Sequence, residues 1–218
     1  MTPDFAPARR NMVDRQIRTV DVTDGRVLEA FAETPREAFV GAGLAPLAYL
    51  DRDIEVAPGR FCLAPAKLAR LLQAAAILPG EIVLDVGCGT GYSTAVLSRL
   101  AGTVLALEQE PALARAAETS FAELGLTNVV VVQGPLAQGW MKEGPYDAIF
   151  IGGSADAIPD ALLGQLRPNG RLLAGEGRGN AGKARMLIAA AGGFSRRDLF
   201  NCSLPPMPGF AETPRFRL

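Results

Sequence analysis

From residue 81 onward, short apolar runs alternate with amphipathic stretches, and that alternation by itself predicts an architecture. Residues 81–86, 103–107, 128–132, 146–151 and 171–174 read as strands buried on both faces. Between them, residues 92–100, 111–124 and 159–166 carry apolar positions at helical spacing. Repeated strand and helix units call for a parallel sheet with helices on both faces. Two further runs, 184–190 and 198–204, flank Gly192-Gly193-Phe194 and predict an antiparallel hairpin at the sheet edge. Upstream the period is that of helices. Met12, Ile17, Val27, Leu28 and Phe31 sit among charges across residues 9–32, and Thr23-Asp24 supplies a capping break between two short helices. Residues 65–77 form another helix, with Pro65 suited to its first turn and Pro79-Gly80 marking its stop. The Pro- and Gly-rich stretch 35–65 predicts a long ordered loop with one short strand, and loops of that length are usually functional or disordered.

Composition narrows the class. At 218 residues, 49% hydrophobic and 21% charged, the chain is sized for one core with an appended segment. Its 24 Gly and 16 Pro are too few for a low-complexity or collagen-like chain. The longest aliphatic run, residues 186–191, is far short of the roughly 18–20 apolar residues that span a bilayer, and Asp4, Arg9 and Arg10 leave no apolar signal core at the start. These features predict a soluble, cytoplasmic protein without a membrane partner. Cys62, Cys88 and Cys202 are too widely spaced for a metal or redox motif, and an odd count argues against a disulfide framework, so no metal is expected. Histidine is absent, which removes Ser-His and Cys-His nucleophilic catalysis and most zinc chemistry. A net charge of −1 gives no general attraction to nucleic acid. Residues 167–218 hold nine basic and three acidic groups, scattered and without aromatic interleaving, which reads as a solvated basic face.

The chemistry concentrates in residues 83–92, Val-Leu-Asp-Val-Gly-Cys-Gly-Thr-Gly-Tyr, a buried strand that enters a glycine-rich turn and then a helix. Glycines let the backbone turn tightly and approach a ligand closely, and the helix start presents unpaired N–H groups. Seventeen residues after Gly91 the next strand ends in Glu108, whose carboxylate can accept hydrogen bonds from both hydroxyls of a ribose. A nucleotide-like ligand is therefore expected. A dinucleotide fingerprint needs glycine at position 92, for close packing beneath a pyrophosphate; this chain has Tyr92, which argues against a nicotinamide oxidoreductase. Trp140 and Tyr146 read as packing residues, and Cys88 as a small residue suited to the loop.

The glycine spacing, with Asp85 two residues before Gly87, resembles motif I of class I S-adenosylmethionine-dependent methyltransferases. In that family the loop holds the methionine part of the cofactor, and the acid before it orders the loop or the cofactor's amino end. The resemblance implies S-adenosyl-L-methionine bound along Asp85, Gly87, Cys88, Gly89, Thr90 and Gly91, with Glu108 and Gln109 after the second strand of the series and Gln133, Gly134 and Leu136 after the third. The amino end is more specific. Met12-Val13-Asp14-Arg15-Gln16-Ile17-Arg18, Val27-Leu28-Glu29-Ala30-Phe31, Pro35-Arg36-Glu37-Ala38-Phe39-Val40 and Ala48-Tyr49-Leu50-Asp51 resemble the start of protein-L-isoaspartate O-methyltransferases. These repair enzymes methylate the abnormal carboxylate formed when asparagine or aspartate isomerises. The likeness continues through Leu124-Gly125-Leu126-Thr127-Asn128-Val129, Gly139-Trp140, Tyr146-Asp147-Ala148-Ile149 and residues 165–172, and covers roughly residues 9–210. It implies a Rossmann-like class I methyltransferase fold, α/β, with a mostly parallel central sheet and a C-terminal antiparallel edge hairpin. One structural unit would then comprise an N-terminal helical cap and acceptor loop (1–64) packed on a cofactor-binding domain (65–218). The partners implied are damaged proteins or peptides carrying isoaspartate. Such chemistry suits a chain without histidine, since a carboxylate acceptor with a pKa near ~4 is already ionised at pH 7 and needs no general base.

The chain departs from that pattern at particular residues. Aligned without a gap from Ala48 to Pro65, the family's acceptor loop of glycine, glutamine, threonine, isoleucine, serine, any residue and proline is here Gly59, Arg60, Phe61, Cys62, Leu63, Ala64 and Pro65. Both hydroxyls are gone. Arg60, Phe61 and Leu63 become the acceptor-loop candidates, with backbone N–H groups and Arg60 left to meet a negative charge. Losing a hydrogen bond to a charged group costs about 1.5–3 kcal/mol, enough to slow isoaspartyl methylation by one to two decades. Arg60 itself reads either as a solvated loop arginine or as an anion contact. The family's aspartate after the third strand of the series is replaced by Pro135, so adenine falls to Gln133, Leu136 or backbone groups, and Gly152-Gly153-Ser154-Ala155 replaces an alanine-rich segment. Two other functions stand beside isoaspartyl methylation: a family member redirected to a less polar, unidentified small acceptor, and a cofactor-binding protein without transferase activity.

Overall fold

The computed structural model describes residues 3–177 and 179–211. Helix α1 (Ala6–Met12) continues through a wider π-helical turn, Val13–Ile17, and helix α2 (Gly25–Glu33) begins at the expected break. Asp24 caps α2 by accepting the Arg26 and Val27 backbone N–H groups at 2.8 and 3.4 Å, which satisfies donors that have no partner inside the helix. The stretch expected to hold one short strand forms a two-stranded antiparallel ribbon, β1 (Ile54–Ala57) and β2 (Arg60–Cys62), joined by Pro58-Gly59. Proline pre-sets the first turn position and Gly59, at φ +69°, takes the left-handed second one. Strands of four and three residues carry too little alternation to be told from loop in the sequence. Helix α3 (Pro65–Ala75) follows.

The remainder builds one sheet: β3 (Ile82–Val86), α4 (Tyr92–Ser98), β4 (Thr103–Glu108), α5 (Pro111–Glu123), β5 (Val129–Gln133), β6 (Tyr146–Ala155), α6 (Asp160–Leu163), β7 (Leu166–Glu176), β8 (Lys183–Ala190) and β9 (Gly193–Asn201). The order is β5-β4-β3-β6-β7-β8-β9, with the first five strands parallel and the last two antiparallel, as the resemblance implied. Successive strand residues point to opposite faces and join two separate cores. Val83, Val104, Ala106, Ala148 and Phe150 pack with Phe31, Leu71, Val96 and Phe121 of the helices on one face. Leu84, Leu105, Leu107, Ile149 and Ile151 pack with Leu136, Leu162, Met207 and Phe210 on the other. That second face has little helix to cover it. The predicted helix 159–166 is a single turn, α6, because Leu166 already belongs to β7.

Strand β9 starts and ends earlier than the predicted run 198–204, since the chain reverses at Gly192, φ +90°, and residues 203–210 turn back over the sheet instead. There the Ser154 N–H donates to Pro205 O at 2.8 Å and the Met207 N–H to Ser154 O at 2.9 Å. The described part of the basic stretch carries surface ion pairs. Arg167 pairs with Asp147 at 2.8 Å, Arg171 with Glu81 at 2.7 Å and Lys183 with Asp198 at 3.2 Å, while Arg185 and Arg196 converge on Glu176. Arg178, Arg215 and Arg217, part of the basic count, lie outside the described residues. Among the described residues no helix is long and apolar enough to cross a membrane.

Candidate functional site

Strand β3 lies between β4 and β6, so the chain leaves it in one direction and later returns to its other side. The carboxyl ends of strands at such a reversal open a crevice that is the usual ligand position in open α/β sheets. Residues 87–91 sit there. Gly87, Gly89 and Gly91 have φ of +75°, +60° and +100°, a region other residues enter only at a cost. The Gly87 and Cys88 N–H groups donate to Leu107 O at 2.8 and 3.2 Å, and Gly91 N–H donates to Cys88 O at 2.9 Å, so the loop is fastened to β4. The Thr90 hydroxyl donates to Phe39 O at 2.5 Å, which ties the loop to the amino-terminal segment. The N–H groups of Gly87, Cys88 and Gly91 are thus engaged within the loop and with β4.

Glu108, at the end of β4, is fully buried. Its Oε1 accepts Arg60 Nη1 at 2.6 Å and the Gln109 and Glu110 N–H groups at 2.9 and 3.0 Å. Its Oε2 accepts Arg60 Nη2 at 2.6 Å and Gly89 N–H at 2.8 Å. Arg60 is therefore an anion contact and not a solvated loop arginine, but its anion is this chain's own carboxylate. Two charges taken from water are tolerated here because the pairing is bidentate and the remaining lone pairs are filled.

Asp85, on β3, is also fully buried. Its Oδ2 accepts the Ser93 and Thr94 hydroxyls at 2.7 and 2.6 Å, while Oδ1 has no partner among the described residues. Burial outweighs those two bonds and raises its pKa from 3.8 to about 6. Between these values the folded chain holds a proton that the unfolded chain has released, so this group's contribution to stability falls as pH rises from about 4 to about 6. Asp85→Asn removes the titration without changing shape. The expected result is that its stability relative to wild type rises by on the order of 3 kcal/mol from pH 4 to pH 7 and then levels off, as read by urea denaturation.

The other sequence-predicted residues divide. Gln133 is exposed at the end of β5, directly opposite Glu108 in the strand register, and Gly134 N–H donates to Glu108 O at 3.1 Å. Leu136 belongs to the second core. Cys88 is buried, and burial pushes its thiol pKa well up, so it is a packing residue and not a nucleophile. Tyr146 is core, as expected; Trp140 is half-buried against Gly134 and its Nε1 has no partner among the described residues. Phe61, Cys62 and Leu63 meet Leu68, Cys88, Thr90, Tyr92 and Gly152 around a narrow cleft beside the loop. Sequence reasoning missed three participants. Ser93 and Thr94 could have been read as partners of Asp85 from their place just after the loop; Met207, which lies against Gly87 and Gly153, carries no local signal at all.

The family model for protein-L-isoaspartate(D-aspartate) O-methyltransferase matches residues 8–192. A protein-L-isoaspartate O-methyltransferase of Methylorubrum extorquens (strain PA1) is 38% identical over 206 residues, covering 94% of this chain and 90% of that protein. One from Koribacter versatilis (strain Ellin345) is 36% identical over 205 residues, covering 94% and 92%. A solved protein-L-isoaspartate O-methyltransferase superposes with a TM-score of 0.80 at 23% identity over 92% of this chain and 66% of that one. A second, a Plasmodium falciparum protein described as a putative member and solved with S-adenosyl-L-homocysteine, gives 0.77 at 20% identity over 91% and 97%. The matched residues 8–192 include the glycine loop and its flanking acids, and the relatives cover nearly the whole chain at more than a third identity: the chain belongs to the protein-L-isoaspartate(D-aspartate) O-methyltransferase family.

Proposed function

We propose that the protein is an S-adenosylmethionine-dependent methyltransferase that acts on the carboxylate of isoaspartyl residues in damaged proteins. The observation that carries this reading is Glu108 beside Gly89 at the point where the strand order reverses, in a chain of this family. The residues present fit an adenosyl cofactor. A side chain on Gly89 would meet none of the described residues within 4 Å, so the loop surface is open there; Glu108 suits ribose hydroxyls; and Asp85 Oδ1, unpartnered among the described residues, suits a cationic amino end. When bound, the sulfonium group supplies an electrophilic methyl carbon and a neutral thioether leaving group.

The chain's own work is positional. Residues 65–218 would hold and orient the cofactor, with Gln109, Gln133, Gly134 and Leu136 completing its surroundings, and residues 1–64 would present the acceptor. Phe61, Leu63, Leu68 and Tyr92 line the cleft beside the loop and would help to exclude water from it. Alignment of two reactants in a dry site is worth up to roughly 7–11 kcal/mol of barrier. No proton needs to move, in keeping with a chain that has no histidine. Cys62, Cys88 and Cys202 are free and buried, which suits a reducing, cytoplasmic setting.

The test is calorimetric binding of S-adenosyl-L-homocysteine, then methyl transfer to an isoaspartyl peptide beside its aspartyl twin. Binding with transfer to the isoaspartyl peptide alone supports the reading. Binding without transfer points to a less polar acceptor or a non-catalytic role, and family membership favours neither. A second expectation concerns rate. Phe61→Thr combined with Leu63→Ser restores the two hydroxyls, and the expected outcome is a rise of ten- to a hundredfold in kcat/KM for the isoaspartyl peptide.

A further inference from the structure

Arg60 carries an observation that the proposed chemistry leaves unused. It belongs to the ribbon and not to the main sheet, it is 5% exposed, and its guanidinium grips Glu108 through both terminal nitrogens. A carboxylate offers about four lone-pair positions. Glu108 already receives five N–H groups, two of them from Arg60, so it has none left for a hydroxyl. Arg60 Nη2 lies 3.3 Å, and Met207 Sδ and Cε 2.6 and 2.8 Å, from where a Cβ on Gly87 would stand. Both side chains therefore cover the first turn of the glycine loop.

Resting on the reading that this crevice takes an adenosyl cofactor, we propose that Arg60 is a latch on Glu108, which closes the ribose site of the cofactor-free protein and must leave before the cofactor can bind. Arg60 brings a full positive charge as well as two parallel N–H groups to the carboxylate, and the neutral hydroxyls of a ribose bring no charge, so a ribose cannot displace Arg60 on its own. The rest of the ligand has to supply the difference, and the latch thereby selects the whole cofactor over a bare nucleoside. The ribbon itself stays in place. Asp53 holds its far side by accepting the Ala64 N–H at 2.8 Å and Lys67 Nζ at 2.6 Å, and Arg36 Nη2 donates to Cys62 O at 3.3 Å. The motion required is thus that of one side chain.

The test compares wild type, Arg60→Gln and Arg60→Lys, all with S-adenosyl-L-homocysteine in a calorimeter and by thermal melting. Arg60→Gln is expected to bind at least tenfold tighter than wild type and to gain more in Tm from the ligand, while its ligand-free form melts lower because Glu108 has lost its counter-charge. Arg60→Lys is expected to fall between the two, since an ammonium group cannot span both carboxylate oxygens. If folded Arg60→Gln binds no tighter than wild type, the latch is overturned and the cofactor reading stands. Should Arg60→Gln not fold, Arg60→Lys decides in the same way. If none of the three binds the ligand, the cofactor reading falls and the latch with it.

Discussion

Glu108→Gln is expected to lower the melting temperature by roughly 6–20 °C and to weaken S-adenosyl-L-homocysteine binding by tenfold or more. The first number follows from burial. Glu108 is fully buried and Arg60 only 5% exposed, so neutralising the acid strands a guanidinium out of water. Removing one partner of a buried pair costs about 3–5 kcal/mol, and each kcal/mol lowers Tm by roughly 2–4 °C in a chain of this size. The loss belongs to the pair and not to the acid alone. Arg60→Met combined with Glu108→Gln leaves no charge behind and is expected to recover most of the stability, while cofactor affinity stays low because the ribose has lost its carboxylate. Thermal melts of the two single variants and the double variant yield the coupling directly. A double variant no more stable than Glu108→Gln would show that the packing of Arg60, and not its charge, is what Glu108 protects.

The glycine loop supplies the second large effect, and it is unequal along the loop. Gly91→Ala combines a left-handed backbone, φ +100°, with a Cβ placed 2.5 Å from the Phe121 ring. Phe121 cannot yield easily, because it is 4% exposed and packs against Phe39 with ring centroids 6.4 Å apart. Strain of about 1–2 kcal/mol and overpacking of about 1–3 kcal/mol give an expected destabilisation of roughly 2–5 kcal/mol. Gly89→Ala has the same kind of backbone but open space around the added carbon, and is expected to cost only about 1–2 kcal/mol. Gly87→Ala meets the flexible end of Met207 and belongs near the lower value. Urea denaturation of the three variants tests the order. Equal losses at all three positions would mean that backbone strain alone sets the cost.

Much of the fold was legible because it follows from local patterns. Runs such as Val83-Leu84 and Val104-Leu105-Ala106-Leu107 are apolar on both faces, and a parallel sheet covered on both sides demands that. Their boundaries fell within a few residues of the prediction. The ribbon of β1 and β2 was less legible, since its seven residues are stabilised by contacts far away in sequence, including the Asp53 to Lys67 pair and Arg36 beneath Cys62. Arg36 served in the sequence only as part of a family resemblance. In the structure it is a fully buried strut, donating to Ala48 O at 2.7 Å with its guanidinium 4.8 Å from the centre of the Tyr92 ring.

The candidate site divides in the same way. The residues alone determined that a strand would end in Asp85, that three glycines would turn the chain sharply and that Glu108 would stand at the end of the neighbouring strand, because each depends on a periodicity or a conformational preference carried by a few adjacent residues. They also determined the family, through likeness distributed along nearly the whole chain. Only the tertiary structure decided what those groups face. Arg60 and Glu108 are 48 residues apart, and whether a charge that distant lies in solvent or against a buried carboxylate depends on how the ribbon packs on the sheet. The same holds for Met207, which reaches the glycine loop only because the chain after β9 turns back over β6. Side-chain pairing over such separations is settled by desolvation and packing of the assembled chain, and these act only once the chain has folded.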